Sequence, residues 1–450
     1  MAEGQPAAVD RESFDQLRRE HRRLREDFDR LLHCLGDEKK TPAGASAKFF
    51  KSKLEAARRR RPLGPRRARL PNILQRGLLS LVQKFCGGRE ELLSLREVSR
   101  SSGTCTDAIF TGYKLYVFGG IDHNGFDGRA SKSAECLTVC NGTWEVLEPL
   151  VANWFFCAGA VMDGYFYTCG TPSHAGSVAT RFSLATKKWE AIASMNKRRT
   201  APGAAVVGGR FYVCGGTDMP QGECHSSVEW LDLSVPPNKA GVQGAWRLLP
   251  VTMSAMRRHC VAAAIPGQDG KEELFVCGGF HKPMLMGIPG AYNAENAALD
   301  SADIIEVHRE CGSRRRSAPP MPKPRGSHAG ASLGGKVYMC GGYDGSSLLG
   351  LATVDCYDPV LEVWSSSAPM PQPRVQSAAV VMAGCLYILG GKTPAFGDGI
   401  DLTSHPRSVY CFDPATGEWE AAPWELVHGR GMFSAAAVWT GAVRTGDLAA

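Results

Sequence analysis

The guanidinium is the functional group this sequence repeats at a fixed spacing. Arg199, Arg325 and Arg374 each stand 17 residues before the second glycine of a Gly-Gly step, at Gly216, Gly342 and Gly391. Allowing for a longer turn at 266–273, Arg258 holds the same place before Gly279, and Arg430 holds it in the last apolar run. Asn153-Trp154 stands there once, ahead of Gly170. A guanidinium forks a carboxylate through two parallel hydrogen bonds, so a ring of them would suit an acidic peptide on a target protein. Trp154 would add an aromatic anchor of the kind that dominates interfaces. A second reading is purely structural: the same arginines brace neighbouring repeats.

Other chemistry has little support in the sequence. His123, His174, His225, His259, His281, His308, His328, His405 and His428 fall in different repeats, and no close-spaced ligand set emerges. No GxxxxGK[ST] phosphate loop occurs. No catalytic residue, metal or cofactor is therefore expected. The chain has 16 cysteines but no Cys-x-x-Cys, and Cys169, Cys214, Cys277 and Cys340 all stand in one slot, just before the glycines. Free cysteine there acts as a small buried hydrophobe. Reduced core thiols suggest a cytoplasmic or nuclear protein.

The elements that must position these side chains are short strands. Six apolar runs close on glycine: 116–120, 167–170 (one glycine short), 212–216, 275–279, 338–342 and 387–391. Steps of 50, 46, 63, 63 and 49 residues separate them, and self-similarity near that period means a repeat architecture. Each unit also has a small-apolar run upstream, such as 378–382, and a second run downstream that ends near a tryptophan. The tryptophans are Trp144, Trp189, Trp246, Trp364 and Trp419; Arg314–Arg316 replaces the pattern once. Four strands per unit cannot bury both sheet faces alone, so the units must stack, and radial stacking leaves only short edges. First strands that begin at the arginines run antiparallel to second strands that end at the glycines. The arginines and the long post-glycine insertions, 280–303 and 392–407, then share one face of the disc.

The glycine doublets and tryptophans in register resemble kelch repeats. The resemblance covers about Thr104 to Thr440 and implies an all-β fold: a six-bladed kelch β-propeller, residues 103–441, with an α-helical N-terminal region. In such propellers a C-terminal strand completes the first blade, and Met432–Trp439 fits that place better than Thr104–Thr111. The face matching the arginine ring holds the target in kelch adaptors. By the same resemblance, a metal-dependent propeller enzyme is a remote further reading.

The N-terminal region is built differently. Net charge is +7, but the first hundred residues hold 24 Lys and Arg against 14 Asp and Glu, and the remaining 350 hold 28 against 31. Residues 10–35 carry Phe14, Leu17, His21, Leu24, Phe28, Leu31 and Leu35 at alternating steps of three and four, a short coiled-coil seam suited to docking or self-association. Residues 36–69 form a basic linker with Arg58–Arg61, Arg66, Arg67 and Arg69, extended by two prolines; an import signal and a solvated linker are both open readings. Without interleaved aromatics, it gives nucleic acid no stacking platform. Residues 70–102 read as two short amphipathic helices around Gly87-Gly88. Their order of Leu-Pro, apolar helix and Leu-x-x-Leu-x-x-Val-Ser-Arg resembles an F-box. That implies docking on the Skp adaptor of a cullin ubiquitin ligase through Leu70, Pro71, Leu81, Phe85, Leu92, Leu95 and Val98. Residues 442–450 read as a disordered tail. No apolar stretch of about 18 residues suggests a membrane span, and the N-terminus has no signal-like apolar core.

The expectation is a non-enzymatic adaptor, a target receptor of a cullin-type ligase, with a kelch scaffold unconnected to ubiquitin as the alternative.

Overall fold

The computed structural model describes residues 112–440, apart from 123–130, 151–153, 171–175, 219–222, 268, 283–297, 308–312, 346–349 and 394–404. The expected helix at 10–35, linker at 36–69, F-box-like segment at 70–102 and tail at 442–450 lie outside the described residues, as do Thr104–Thr111.

Among the described residues every regular element is a strand. Apart from the short pair Ile121–Asp122 and Arg430–Gly431, they assemble as six antiparallel four-stranded blades, and in five of them the chain order is also the order from axis to rim. Blade 2 consists of Ala158–Met162, Tyr165–Cys169, Ala179–Ser183 and Trp189–Ala191. Blade 3 comprises Gly203–Val207, Arg210–Cys214, Ser227–Asp232 and Ala245–Thr252. Val261–Pro266, Glu272–Cys277, Ala302–Glu306 and Arg314–Ala318 make blade 4. Blade 5 has Ala329–Leu333, Lys336–Cys340, Val354–Asp358 and Val363–Ser367; blade 6 has Ala378–Met382, Cys385–Leu389, Val409–Asp413 and Glu418–Ala421. Blade 1 is assembled from both ends of the described chain: Ser434–Trp439 is innermost and pairs with Tyr113–Phe118, followed by Ala134–Thr138 and Thr143–Val146. The tail strand thus takes the closing place.

The six innermost strands contact one another in cyclic order, and this contact closes the ring. Small residues such as Ala204, Ala262 and Ala379 line them, so sheets can converge at the axis. The larger apolar side chains fill the spaces between blades: Phe275, Ile304, Val337, Met339 and Tyr357 lie buried between blades 4 and 5. Cys169, Cys214, Cys277 and Cys340 are buried and free. Burial pushes their thiols up, that of Cys340 to about 12, so they stay protonated core groups.

The tryptophans latch each blade to its predecessor. Trp189 Nε1 donates to Glu148 O at 3.0 Å, Trp246 to Ala193 O at 2.7 Å, Trp364 to Pro319 O at 2.9 Å and Trp419 to Ala368 O at 2.9 Å. Trp144 closes the circle on Glu425 O at 3.0 Å. In blade 4 the register puts Arg315 opposite Ile305, in the place of the tryptophan, and Arg315 pairs instead with Asp303 at 3.0 Å.

The glycine steps are dictated by close approach. A Cβ on Gly341 would stand 2.2 Å from the carbonyl oxygen of Arg374 in the next blade, and one on Gly215 would stand 2.3 Å from that of Arg257. Both glycines also sit at φ near +67°, where L side chains are strained. No other residue fits there.

Candidate functional site

Each arginine of the series sits at the end of the ring where second strands finish and third strands begin, as the alternation of strands requires. There it acts as a rivet. Its carbonyl accepts the N–H of the preceding blade's second glycine: Gly216 to Arg257, Gly279 to Arg325, Gly342 to Arg374 and Gly391 to Arg430, all at 2.8 Å. Its guanidinium turns into its own blade. Arg199 Nε meets Glu229 at 2.8 Å and its NH1 donates to Gly215 O at 2.6 Å. Arg257 meets Asp303 at 2.9 Å and Gly278 O at 3.0 Å, and Arg430 meets Glu135 at 2.7 Å and Gly119 O at 3.2 Å. Arg325 pairs with Asp355 and donates to Gly341 O at 3.1 Å. Arg199 and Glu229 are both 0% exposed, so the charge is neutralised inside the protein.

This geometry revises the sequence reading at several residues. Arg199, Arg325, Arg374 and Arg430 do ring the mouth, but their guanidiniums are buried and committed to acceptors within the chain. The bracing reading describes them. In blade 4 the rivet is Arg257, not Arg258, because the stretch between Ile265 and Glu273 holds seven residues where the equivalent turn between Leu333 and Lys336 holds two, five more. Arg258 points its guanidinium over the Phe280 ring at 5.1 Å and donates to Lys282 O at 2.8 Å. In blade 2 the rivet's place falls to Trp154, whose carbonyl accepts from Gly120 at 2.7 Å. Its indole lies in the core between blades 1 and 2, 3% exposed, which removes it as a surface anchor. Asn153 lies outside the described residues, as do Leu70, Pro71, Leu81, Phe85, Leu92, Leu95 and Val98.

The acidic partners went unnoticed in the sequence although they left a signal. Glu135, Glu229, Asp303 and Asp355 each follow an apolar residue at the buried beginning of a third strand, at one shared register position. Thr180 holds that place in blade 2, where the arginine is also missing, and Tyr410 holds it in blade 6. Arg374 accordingly has no carboxylate: it donates to Ser408 Oγ at 2.6 Å, Thr393 Oγ1 at 3.3 Å and Gln372 Oε1 at 3.3 Å.

Two residues after each rivet lies the feature that shapes the mouth. Phe156, Ala201, His259, Ser327, Gln376 and Met432 all have φ between 53° and 61°. A non-glycine residue held there costs on the order of 1 kcal/mol or more, and needs a compensating contact. The compensation is a closed circuit of backbone hydrogen bonds. Each of the six donates its N–H to the carbonyl of its counterpart in the preceding blade, from Ala201 to Phe156 round to Phe156 to Met432, over 2.7 to 3.2 Å. The left-handed turn aims six side chains inward.

Those six and the six that follow them (Cys157, Pro202, Cys260, His328, Ser377 and Phe433) are the complete lining of a cavity of about 120 Å³. Blades 1 to 3 give it an apolar wall of Met432, Phe433, Phe156, Ala201 and Pro202. Blades 4 to 6 give it a polar wall of His259, Ser327, His328, Gln376 and Ser377. Burial first, then Arg258 and His328 beside it, holds His259 well below the usual imidazole range. Burial, then Arg325 and Arg257, holds His328 at about 3. Both imidazoles are neutral near pH 7. Both ring nitrogens of His328, Oε1 of Gln376 and Oγ of Ser377 are buried without a hydrogen-bond partner. Among the described residues no group of three or more His, Cys, Asp or Glu could hold a metal ion, and no helix is long and apolar enough to cross a membrane.

Comparison with known proteins agrees with this geometry. The model of the KLHDC2/KLHL20/DRC7 Kelch-repeats domain matches residues 202–442, and the Kelch motif model matches 103–150. The first of these spans more than half of the chain, which therefore belongs to the kelch-repeat family. The two matches leave out blade 2, the unit whose rivet, acid and second glycine are all replaced. Kelch-like protein 38 of Rattus norvegicus is 23% identical over 261 residues, covering 56% of this chain and 38% of that protein. Kelch-like protein 25 of Xenopus tropicalis is 25% identical over 268 residues, covering 57% and 39%. The chain thus spans about two fifths of the length of these relatives. Among solved structures, that of YjhT covers 68% of this chain and 96% of its own, at 13% identity and a TM-score of 0.49.

Proposed function

We propose that this protein is a non-enzymatic receptor. Its propeller binds a target protein at the mouth, and residues 70–102 carry the bound target to a cullin-type ubiquitin ligase. One observation supports the first half most. The rivet places are filled alike in most blades, whereas the twelve cavity places just behind them are filled differently from blade to blade. Constant framework with a variable lining is the arrangement that lets one fold select a partner. The neutralised arginines take away the basis for expecting an acidic peptide, so recognition falls to the cavity and the segments that leave and re-enter the mouth.

The second half rests on the Leu-Pro, apolar-helix and Leu-x-x-Leu-x-x-Val pattern of 70–102. Leu70, Pro71, Leu81, Phe85, Leu92, Leu95 and Val98 form the proposed docking face for the Skp adaptor. Co-precipitation of the full chain with purified Skp adaptor tests it: capture is expected, and Leu92→Asp or Leu95→Asp abolishes it. Failure of the unaltered chain to capture the adaptor would leave a kelch interaction scaffold unconnected to ubiquitin.

A further inference from the structure

The polar wall of the axial cavity is incomplete as it stands. His328 and Gln376 are 7% and 8% exposed, yet both imidazole nitrogens of the one and the amide oxygen of the other have no partner, nor does Ser377 Oγ. Leaving such buried groups unpaired forfeits the hydrogen bonds they make with water in the unfolded chain, so the site favours an occupant that pairs them. The occupant's chemistry follows from the wall. A neutral imidazole offers one donor and one acceptor, an amide oxygen only accepts, and a hydroxyl does either. A primary carboxamide answers all three, with two N–H donors and one carbonyl.

Charge excludes the nearest competitors. No Asp, Glu, Lys or Arg lines the cavity. The adjacent Arg257 and Arg325 are already paired with Asp303 and Asp355. A carboxylate or an ammonium would meet no charged side chain in the lining and would give up its hydration without one. Size agrees: about 120 Å³ is the share of roughly four waters, enough for the end of one side chain. The opposite wall of Met432, Phe433 and Phe156 meets the methylenes behind it.

We propose that the axial cavity is a subsite for a carboxamide side chain, an asparagine or glutamine of the bound target, held between the His328–Gln376–Ser377 wall and the Phe156–Met432 wall. This rests on the reading of the mouth as the target-binding face and specifies what it selects.

The test uses the full chain with two probes of one shape, N-acetyl-glutamine methylamide and N-acetyl-glutamate methylamide, followed by saturation-transfer NMR at pH 7.5. The glutamine probe is expected to bind, and the glutamate probe at least tenfold more weakly. Gln376→Met and His328→Phe copy residues the ring already tolerates, Met432 and Phe433, so both variants should fold with an unchanged or raised Tm. Each should weaken the glutamine probe at least tenfold. Equal binding of the two probes, binding of neither because the cavity holds water only, or undiminished binding by both variants would overturn the assignment. Capture of a target by photo-crosslinking from the mouth is read separately. If capture survives while the probes fail, the carboxamide subsite is wrong and the mouth reading stands.

Discussion

Arg199 and Arg374 occupy the same place in their blades, yet removing them should not cost the same. Arg199→Met leaves the fully buried Glu229 with hydrogen bonds from Asn196 and Lys197 but no counter-charge, and breaking a buried pair from one side costs about 3–5 kcal/mol. Arg374→Met strands only hydroxyl and amide oxygens and should cost less than half as much. Urea unfolding of the two variants checks this, and equal losses would contradict the rivet account. His328 carries a second prediction. Its folded pKa of about 3 lies below the unfolded value, so the unfolded chain binds the proton first as pH falls. Stability should drop by about 1.4 kcal/mol per unit below pH 6.5 until about pH 3, and His328→Phe should remove that share. The arginine period was legible in the sequence because each rivet keeps its distance from a glycine. The direction of the guanidinium was not, since an arginine facing inward to Glu229 and one facing outward to a target read identically until the third-strand acids are placed opposite it.

Strands, turns and blade count follow from local pattern, and the structure agrees with them closely. Glycine is required wherever one blade's backbone reaches the next. Gly341→Ala should therefore lower stability by several kcal/mol, whereas Gly335→Ala, with no heavy atom within 4 Å of its Cβ, should cost only the strain of a positive φ, about 1 kcal/mol. Thermal unfolding of the two variants separates close approach from turn geometry. What the pattern did not reveal was turn length. Five extra residues between Ile265 and Glu273 moved the fourth rivet from Arg258 to Arg257, and a missing second glycine moved the second from Asn153 to Trp154. The left-handed ring at the mouth was invisible for a different reason: Phe156, Ala201 and Met432 are not residues that favour positive φ, and the hydrogen bonds around the closed circle hold them there.

At the scale of the whole molecule, closure gives the mouth its shape. Ser434–Trp439 supplies the innermost strand of blade 1, and Arg430 and Met432 just before it supply one rivet and one sixth of the ring. Removing 430–440 should abolish cooperative unfolding rather than shift its midpoint, a result differential scanning calorimetry would show directly. The account's central claim is that a target protein is held at this mouth. A photo-reactive residue placed at Tyr343, beside the mouth, tests it against one placed at Val360, a 78% exposed residue in the hairpin at the opposite end of blade 5. The account predicts crosslinks to one cellular protein from position 343 and none to it from 360. Crosslinks from 360 alone would contradict it.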